Sequence, residues 1–268
     1  MPPMTTPLGR NNPTLRRLRR LRRDGALRRE EGVLLAEGPH LAEAALASGL
    51  AIELAVYSSS LLDSDEGKGL HASLLERGID CYETSAELLD SVQDARSPQP
   101  ILLLVQRPAH DAEAALAEAS CLAVVLAGIQ DPGNLGGIVR SAEAAGAGAC
   151  LIGEGCADPF HPRAVRASAG SLLRLPLALE SNAAIVERLR GHGLRLWGSA
   201  ARRGDSHVEA DLRGAVALCF GGEGAGLPPE LEQALDSLVH IPIAQSVESL
   251  SVGAAAAVLL FEAARQRR

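Results

Sequence analysis

Short apolar runs alternate along this chain with segments whose apolar residues recur at helical spacing, a pattern that predicts an α/β layer fold. Between residues 33 and 106 the runs fall at 33–37, 52–57, 79–82 and 101–106, each of strand length. Segments 39–47 and 86–92 carry the helical pattern, while 58–69 is polar and reads as a loop. Residues 107–120, opened by Pro108 and rich in Ala, Glu and Asp, hold no core strand and read as a helical linker. Five further runs follow at 122–129, 149–153, 194–199, 215–221 and 239–243. Their continuous apolar character is what a parallel sheet covered on both faces requires. The predicted division is a flexible tail over 1–12, a smaller α/β domain over 13–107, a linker over 108–120 and a larger parallel-sheet domain over 121–268.

Composition narrows the picture. Of the 268 residues 47% are hydrophobic, enough to fill two cores and to exclude a disordered chain. Only 2% are aromatic, so the cores rest on Ala, Val, Leu and Ile and few rings remain to stack on bases. The five cysteines form no C-x-x-C pair and are odd in number, which argues for buried thiols in a reducing compartment. The seven histidines show no ligand spacing, so no metal site is expected. No apolar run is long enough to span a bilayer, and the first residues, with Pro2, Pro3 and Pro7, lack a signal-peptide stretch. A cytoplasmic protein without a membrane partner is the expectation.

Charge is unevenly placed. Residues 1–29 hold nine arginines against Asp24, a net +8, which leaves −15 for the rest of a chain whose total is −7. Arg16, Arg19, Arg20 and Arg23 therefore become candidates for phosphate contacts, since such contacts supply most sequence-independent affinity for nucleic acid. A solvated helix face would carry the same charges.

Three glycine-rich segments follow strand ends of the second domain, where open α/β sheets place their ligand crevice. The first runs from Asp131 through Pro132, Gly133, Asn134 and Gly136 to Arg140, with Asn134 placed to cap a helix whose first turn presents Arg140. The second is Gly221-Gly222-Glu223-Gly224-Ala225-Gly226-Leu227. It is not a G-x-G-x-x-G fingerprint and has no acidic ribose partner downstream, and the chain has no P-loop, so an ordinary Rossmann-type nucleotide enzyme is disfavoured. The third runs from Ile241-Pro242-Ile243 through Ser249-Leu250-Ser251-Val252-Gly253 into a closing helix over 254–265.

Together these segments resemble the three motifs of the SpoU-TrmH family: N-x-G-x-x-x-R, then G-x-E-x-x-G-L, then I-P-M followed by S-L-N-V-S. Arg166-Ala167-Ser168-Ala169-Gly170 is similar to that family's R-A-S-M-G stretch, and residues 30–46 resemble the ribosomal-protein-like substrate-binding domain found ahead of many members. The resemblance implies S-adenosyl-L-methionine-dependent methylation of a ribose 2′-hydroxyl in structured RNA, ribosomal RNA first and transfer RNA as the alternative. It also implies a trefoil knot in the C-terminal domain and a homodimer formed through that domain. By motif matching, Gly221, Gly222, Gly226, Ile241, Leu250 and Ser251 are implied cofactor contacts; Arg140, Asn134, Glu223 and Ser249 are implied catalytic residues; Arg166 is an implied RNA contact. Two of these have a second reading: Glu223 could instead bond the amides of its own loop, and Arg166 could equally pair with an acid. A guanidinium is effectively never deprotonated, so Arg140 is better suited to holding phosphate and stabilising an alkoxide than to acting as a base. Ser251 and Gly253 depart from the family pattern, which leaves a catalytically inactive RNA-binding relative as a further reading.

Overall fold

The computed structural model describes residues 7–95, 97–109 and 111–268. They form two compact units, Met1–Pro108 with Phe160–Arg174 and Ala109–Pro159 with Leu175–Arg268.

The first unit is built on a four-stranded mixed sheet of β1 (Val33–Glu37), β2 (Ile52–Tyr57), β3 (Asp80–Glu83) and β4 (Ile101–Gln106), in the order β1-β4-β2-β3. β4 runs antiparallel to both neighbours, and β2 and β3 are parallel. The arginine-rich segment forms the helix Pro13–Arg23, started by Pro13 and by Asn12, whose side chain accepts from the Thr14 N–H at 2.8 Å. Leu15, Leu18 and Leu21 lie on one face and are fully buried against Val33, Leu35, Leu102 and Leu104. This helix is therefore part of the core. Its arginines divide by position: Arg17 pairs with Glu31 and Glu53, Arg19 donates to Ser91 Oγ, and Arg22 donates to the Gln93 carbonyl. Arg16, Arg20 and Arg23, four and three residues apart, are exposed on one stripe and make no side-chain hydrogen bond or ion pair among the described residues. Of the predicted tail, residues 1–6 lie outside the described residues, and the Leu8 N–H donates to the Glu83 carbonyl at 2.7 Å.

The polar segment expected to be a loop is instead a 3-10 turn, Ser59–Asp63, followed by the helix Asp65–Glu76. Ser64 caps that helix by accepting from the Gly67 N–H, and Leu70 and Leu74 bury its one apolar face. A stripe that narrow among polar residues leaves little periodic signal.

The segment Phe160–Arg174 carries the R-A-S-A-G stretch in the helix Pro162–Ala167 and packs on β1. Arg166 bonds Glu37 at 2.8 Å, and its other terminal nitrogen lies 3.6 Å from Asp94. The Glu37 side chain is fully buried and also accepts from the Asp94 N–H. Burial raises its pKa, against the opposing hydrogen bond from Asp94 and the charge of Arg166.

The second unit is a seven-stranded sheet of β5 (Leu122–Leu126), β6 (Ala149–Ile152), β7 (Leu177–Leu179), β8 (Arg195–Ala200), β9 (Asp205–Ser206), β10 (Val216–Phe220) and β11 (Ser237–His240). Every pairing is parallel, in the order β7-β6-β5-β10-β8-β11-β9. All residues of β5 and β10 are buried. The chain moves outward from β5 through β6 to β7, then returns to build the other half, so β5 and β10 flank a topological switch point. The last predicted run, 239–243, ends earlier than expected, with β11 closing at His240 and β7 and β9 too short to stand out as runs. In the linker, the helix Glu113–Leu116 docks through Glu113, which pairs with Arg188 and with His192 Nε2.

Arg166→Ala removes the cation facing a buried carboxylate and should lower stability by about 2 kcal/mol at pH 7, less than a fully buried pair because Arg166 is one-third exposed. Because Glu37 has a raised pKa, its ionisation in the folded protein costs stability as pH rises past the unfolded value. The deficit of Arg166→Ala should therefore shrink toward pH 4 in urea titrations, and a deficit independent of pH would contradict this account.

Candidate active site

The first glycine-rich segment leaves β5 and enters the helix Pro132–Ala144. Asp131, not Asn134, is its cap, accepting from the Asn134 N–H at 2.9 Å, and Pro132 occupies the first helical position. This corrects the expected start. A preset proline φ and a capping aspartate begin the helix two residues before Asn134, which puts Arg140 in its third turn. Asn134 is thereby freed from capping, and its Nδ2 donates to Glu223 Oε1 at 3.1 Å, joining the first motif to the second.

The second segment leaves β10 and folds back on itself. Gly222 and Gly226 exchange backbone hydrogen bonds of 3.1 and 2.9 Å, and Gly226 has φ +70°. Gly221 sits under this closure, where a Cβ would lie 2.2 to 2.4 Å from the Gly226 carbonyl group and the Leu227 nitrogen. Only glycine fits there. The N–H groups of Glu223, Gly224 and Ala225 bond to nothing among the described residues, leaving three backbone donors on an exposed loop.

The third segment leaves β11 and enters the closing helix Val252–Gln266, two residues before the expected start. Ser251 is its cap, its hydroxyl accepting from the Ala254 N–H at 3.3 Å. This helix packs against Pro132–Ala144, and a Cβ added at Gly253 would lie 3.9 Å from Asn134 Oδ1. The serine in place of the family's asparagine is thus a competent cap. The glycine in place of its second serine leaves the Asn134 amide uncrowded.

The second and third segments and the exit of β8 line one cavity of about 900 Å³ at the C-terminal ends of β8, β10 and β11. Gly221, Gly222, Gly226, Ile241, Leu250 and Ser251 all line it, as do Glu223 and Ser249. Leu227, Leu235 and Leu238 add apolar wall, and Glu248, Arg202 and Arg203 stand among the polar groups. Asn134 meets this set through Glu223. Arg140 does not line the cavity; it is exposed and without a side-chain hydrogen bond or ion pair among the described residues. Arg16, Arg19, Arg20, Arg23 and Arg166 belong to the first unit, where Arg19 and Arg166 are engaged by Ser91 and Glu37. Sequence reasoning missed Arg202, Arg203, Leu235 and Leu238. Their one signal is that 194–199 is a strand run whose C-terminal end must open on the same crevice. Cys219 beneath the site is fully buried, its thiol pushed up to about 12 by desolvation, so it is no nucleophile.

A parallel α/β sheet with a polar-rimmed, apolar-walled cavity at the C-terminal ends of its strands defines a protein that binds a nucleoside-sized ligand. Residues 121–261 match the model of the SpoU rRNA Methylase family, and residues 12–103 match the MRM3-like substrate binding domain. The chain belongs to the SpoU rRNA methylase family. It is 34% identical over 223 residues to the 23S rRNA (guanosine(2553)-2'-O)-methyltransferase RlmP of Bacillus subtilis, spanning 83% of this chain and 84% of that protein. The AdoMet-bound rRNA methyltransferase from Sinorhizobium meliloti superposes with a TM-score of 0.85 at 28% identity, covering 96% of each chain. The SpoU methyltransferase AviRb from Streptomyces viridochromogenes, in complex with the cofactor AdoMet, gives 0.82 at 28% identity, covering 95% of this chain and 98% of that one.

Gly221→Ala should lower the unfolding free energy by about 1–3 kcal/mol, because the new Cβ must displace loop backbone. At Gly224 a Cβ meets nothing within 4 Å, so Gly224→Ala should shift stability by less than about 0.5 kcal/mol. Equal urea midpoints for the two variants would contradict the close approach inferred at Gly221.

Proposed function

We propose that this chain transfers a methyl group from S-adenosyl-L-methionine to a ribose 2′-hydroxyl of ribosomal RNA. The observation that carries this reading is that the second and third motif loops line one cavity and that the Asn134–Glu223 hydrogen bond ties the first motif to it. The named relatives, an rRNA 2'-O-methyltransferase and AdoMet-bound methyltransferases, give the chemistry its class.

The residues fit the cofactor. A volume of about 900 Å³ admits a folded nucleoside with its amino-acid arm, and Ile241 and Leu250 supply apolar surface for a ring. The free N–H groups of residues 223–225 and the Ser249 hydroxyl supply donors. When bound, S-adenosyl-L-methionine contributes an electrophilic methyl group on a sulfonium. The protein must then align and activate a hydroxyl, and alignment alone accounts for a large share of the barrier reduction. Glu223 keeps Oε2 free while Asn134 holds Oε1, so it can accept a hydrogen bond at a fixed position. Arg140, always cationic and free of internal partners, is available to hold an RNA phosphate and to stabilise the developing alkoxide.

Arg16, Arg20 and Arg23 form the RNA-anchoring stripe of the substrate-binding domain, their free guanidiniums spaced along one helix face. Two copies pair through the closing helix, where Val258 and Phe261, 38% and 49% exposed and three residues apart, leave an apolar stripe open to solvent. The closing segment threads through a preceding loop as a trefoil knot, a reading that the family assignment supports. An rRNA substrate is consistent with the cytoplasm. No helix among the described residues is long and apolar enough to cross a membrane.

Arg140→Ala should leave cofactor affinity unchanged in calorimetry while lowering turnover by roughly 10² or more, and Arg140→Lys should restore little of it. Turnover near that of the unaltered protein would remove Arg140 from the mechanism. Replacing Arg16, Arg20 and Arg23 together by alanine should reduce the slope of log affinity against log salt by about 2–3, since each phosphate contact contributes roughly 0.7–0.9. An unchanged slope would show that the stripe does not touch the backbone of RNA.

A further inference from the structure

We infer that Arg202 is a positioning residue, a latch that holds the third motif loop closed along the cofactor cavity; this rests on the methyltransferase reading of that cavity. Residues 241–250 carry no helix or strand, yet they contribute Ile241, Ile243, Ser249 and Leu250 to the cavity lining. Among the described residues the loop makes one internal backbone bond, Val247 N–H to the Ala244 carbonyl at 3.0 Å. Among the described residues its one hydrogen bond to the rest of the chain is donated by Arg202 Nη2 to the Val247 carbonyl at 2.8 Å. Arg202 stands just beyond the C-terminal end of β8, a strand paired on both sides. The guanidinium therefore ties a loop without regular structure to the exposed segment that leaves β8. A segment with few buried contacts opens easily, and a binding loop that is closed only part of the time weakens apparent affinity by that fraction.

The neighbouring Arg203 points to a different wall. It pairs at 3.2 Å with Glu232, in the helix Pro229–Gln233 that follows the glycine loop, but both side chains are more than half exposed. The Arg202 bond is exposed too, so Arg203 serves as the contrast by its partner: an equally exposed arginine of the same segment that does not bond the loop 241–250.

The test begins on the cofactor-free protein, by hydrogen exchange of the peptide covering residues 242–250. Arg202→Ala should speed exchange there about threefold or more, with Arg203→Ala unchanged and both variants unfolding at the same temperature as the unaltered protein. Calorimetry with S-adenosyl-L-homocysteine should then show about fivefold weaker binding for Arg202→Ala. The KM for S-adenosyl-L-methionine should rise by a similar factor, proportionally more than kcat falls. Arg202→Lys, which keeps one donor, should recover part of the lost affinity. Unchanged loop exchange in Arg202→Ala would overturn the latch, and faster exchange with unchanged affinity would show that the latch does not serve the cavity. Absence of S-adenosyl-L-homocysteine binding by the unaltered protein would instead count against the cofactor reading, while loop exchange would still decide whether Arg202 holds the loop.

Discussion

The parallel pairing of β5 with β10 is the constraint from which the site follows. Their register places Leu126 beside Phe220, so both chains must leave the sheet at the same edge and at the same height. A parallel pair cannot close by a hairpin, and the polar backbone leaving it needs partners or water. Here the exits pass so closely that a Cβ at Gly222 would lie 2.6 Å from the Gly128 carbonyl oxygen. That crowding explains why position 222 is glycine. It also explains how Asn134, on the β5 side, reaches Glu223 on the β10 side. β8 and β11 extend the same edge, and the cavity is the space their exits leave open.

Charge follows a similar logic of division. The basic helix is an amphipathic core element, so its arginines could not all be solvent groups: Arg17 and Arg22 fasten it to neighbouring carboxylates and a carbonyl, and Arg19 to a hydroxyl. Buried or half-buried arginines have to find such partners, because an unpaired guanidinium away from water is costly. Arg16, Arg20 and Arg23, pointing away from Leu15, Leu18 and Leu21, carry the surplus.

Periodicity made the strands legible where they are long and fully buried. Val33–Glu37, Ile52–Tyr57 and Ile101–Gln106 begin and end where the apolar runs do. It failed where the signal is short or one-sided: the edge strands Leu177–Leu179 and Asp205–Ser206 and the polar helix Asp65–Glu76. Motif spacing located the cavity residues, because glycines and a capped helix start answer to local backbone needs. It could not assign partners across the chain. Arg166 suited a phosphate or an acid equally well and is bonded to Glu37, 129 residues away in sequence, while Arg202 carried no motif and holds Val247 across 45. Such pairings are set by the packed sheet and leave no mark on local spacing.

The central claim is that this cavity serves methylation at a ribose oxygen and not at a base. Incubation of the protein and ribosomal RNA with methyl-labelled S-adenosyl-L-methionine, followed by digestion to nucleosides and mass analysis, tests it directly. The account predicts label in a 2′-O-methylated nucleoside, with the methyl group on the sugar fragment. Label on a base, or none transferred to ribosomal RNA by a protein that binds the cofactor, would contradict it.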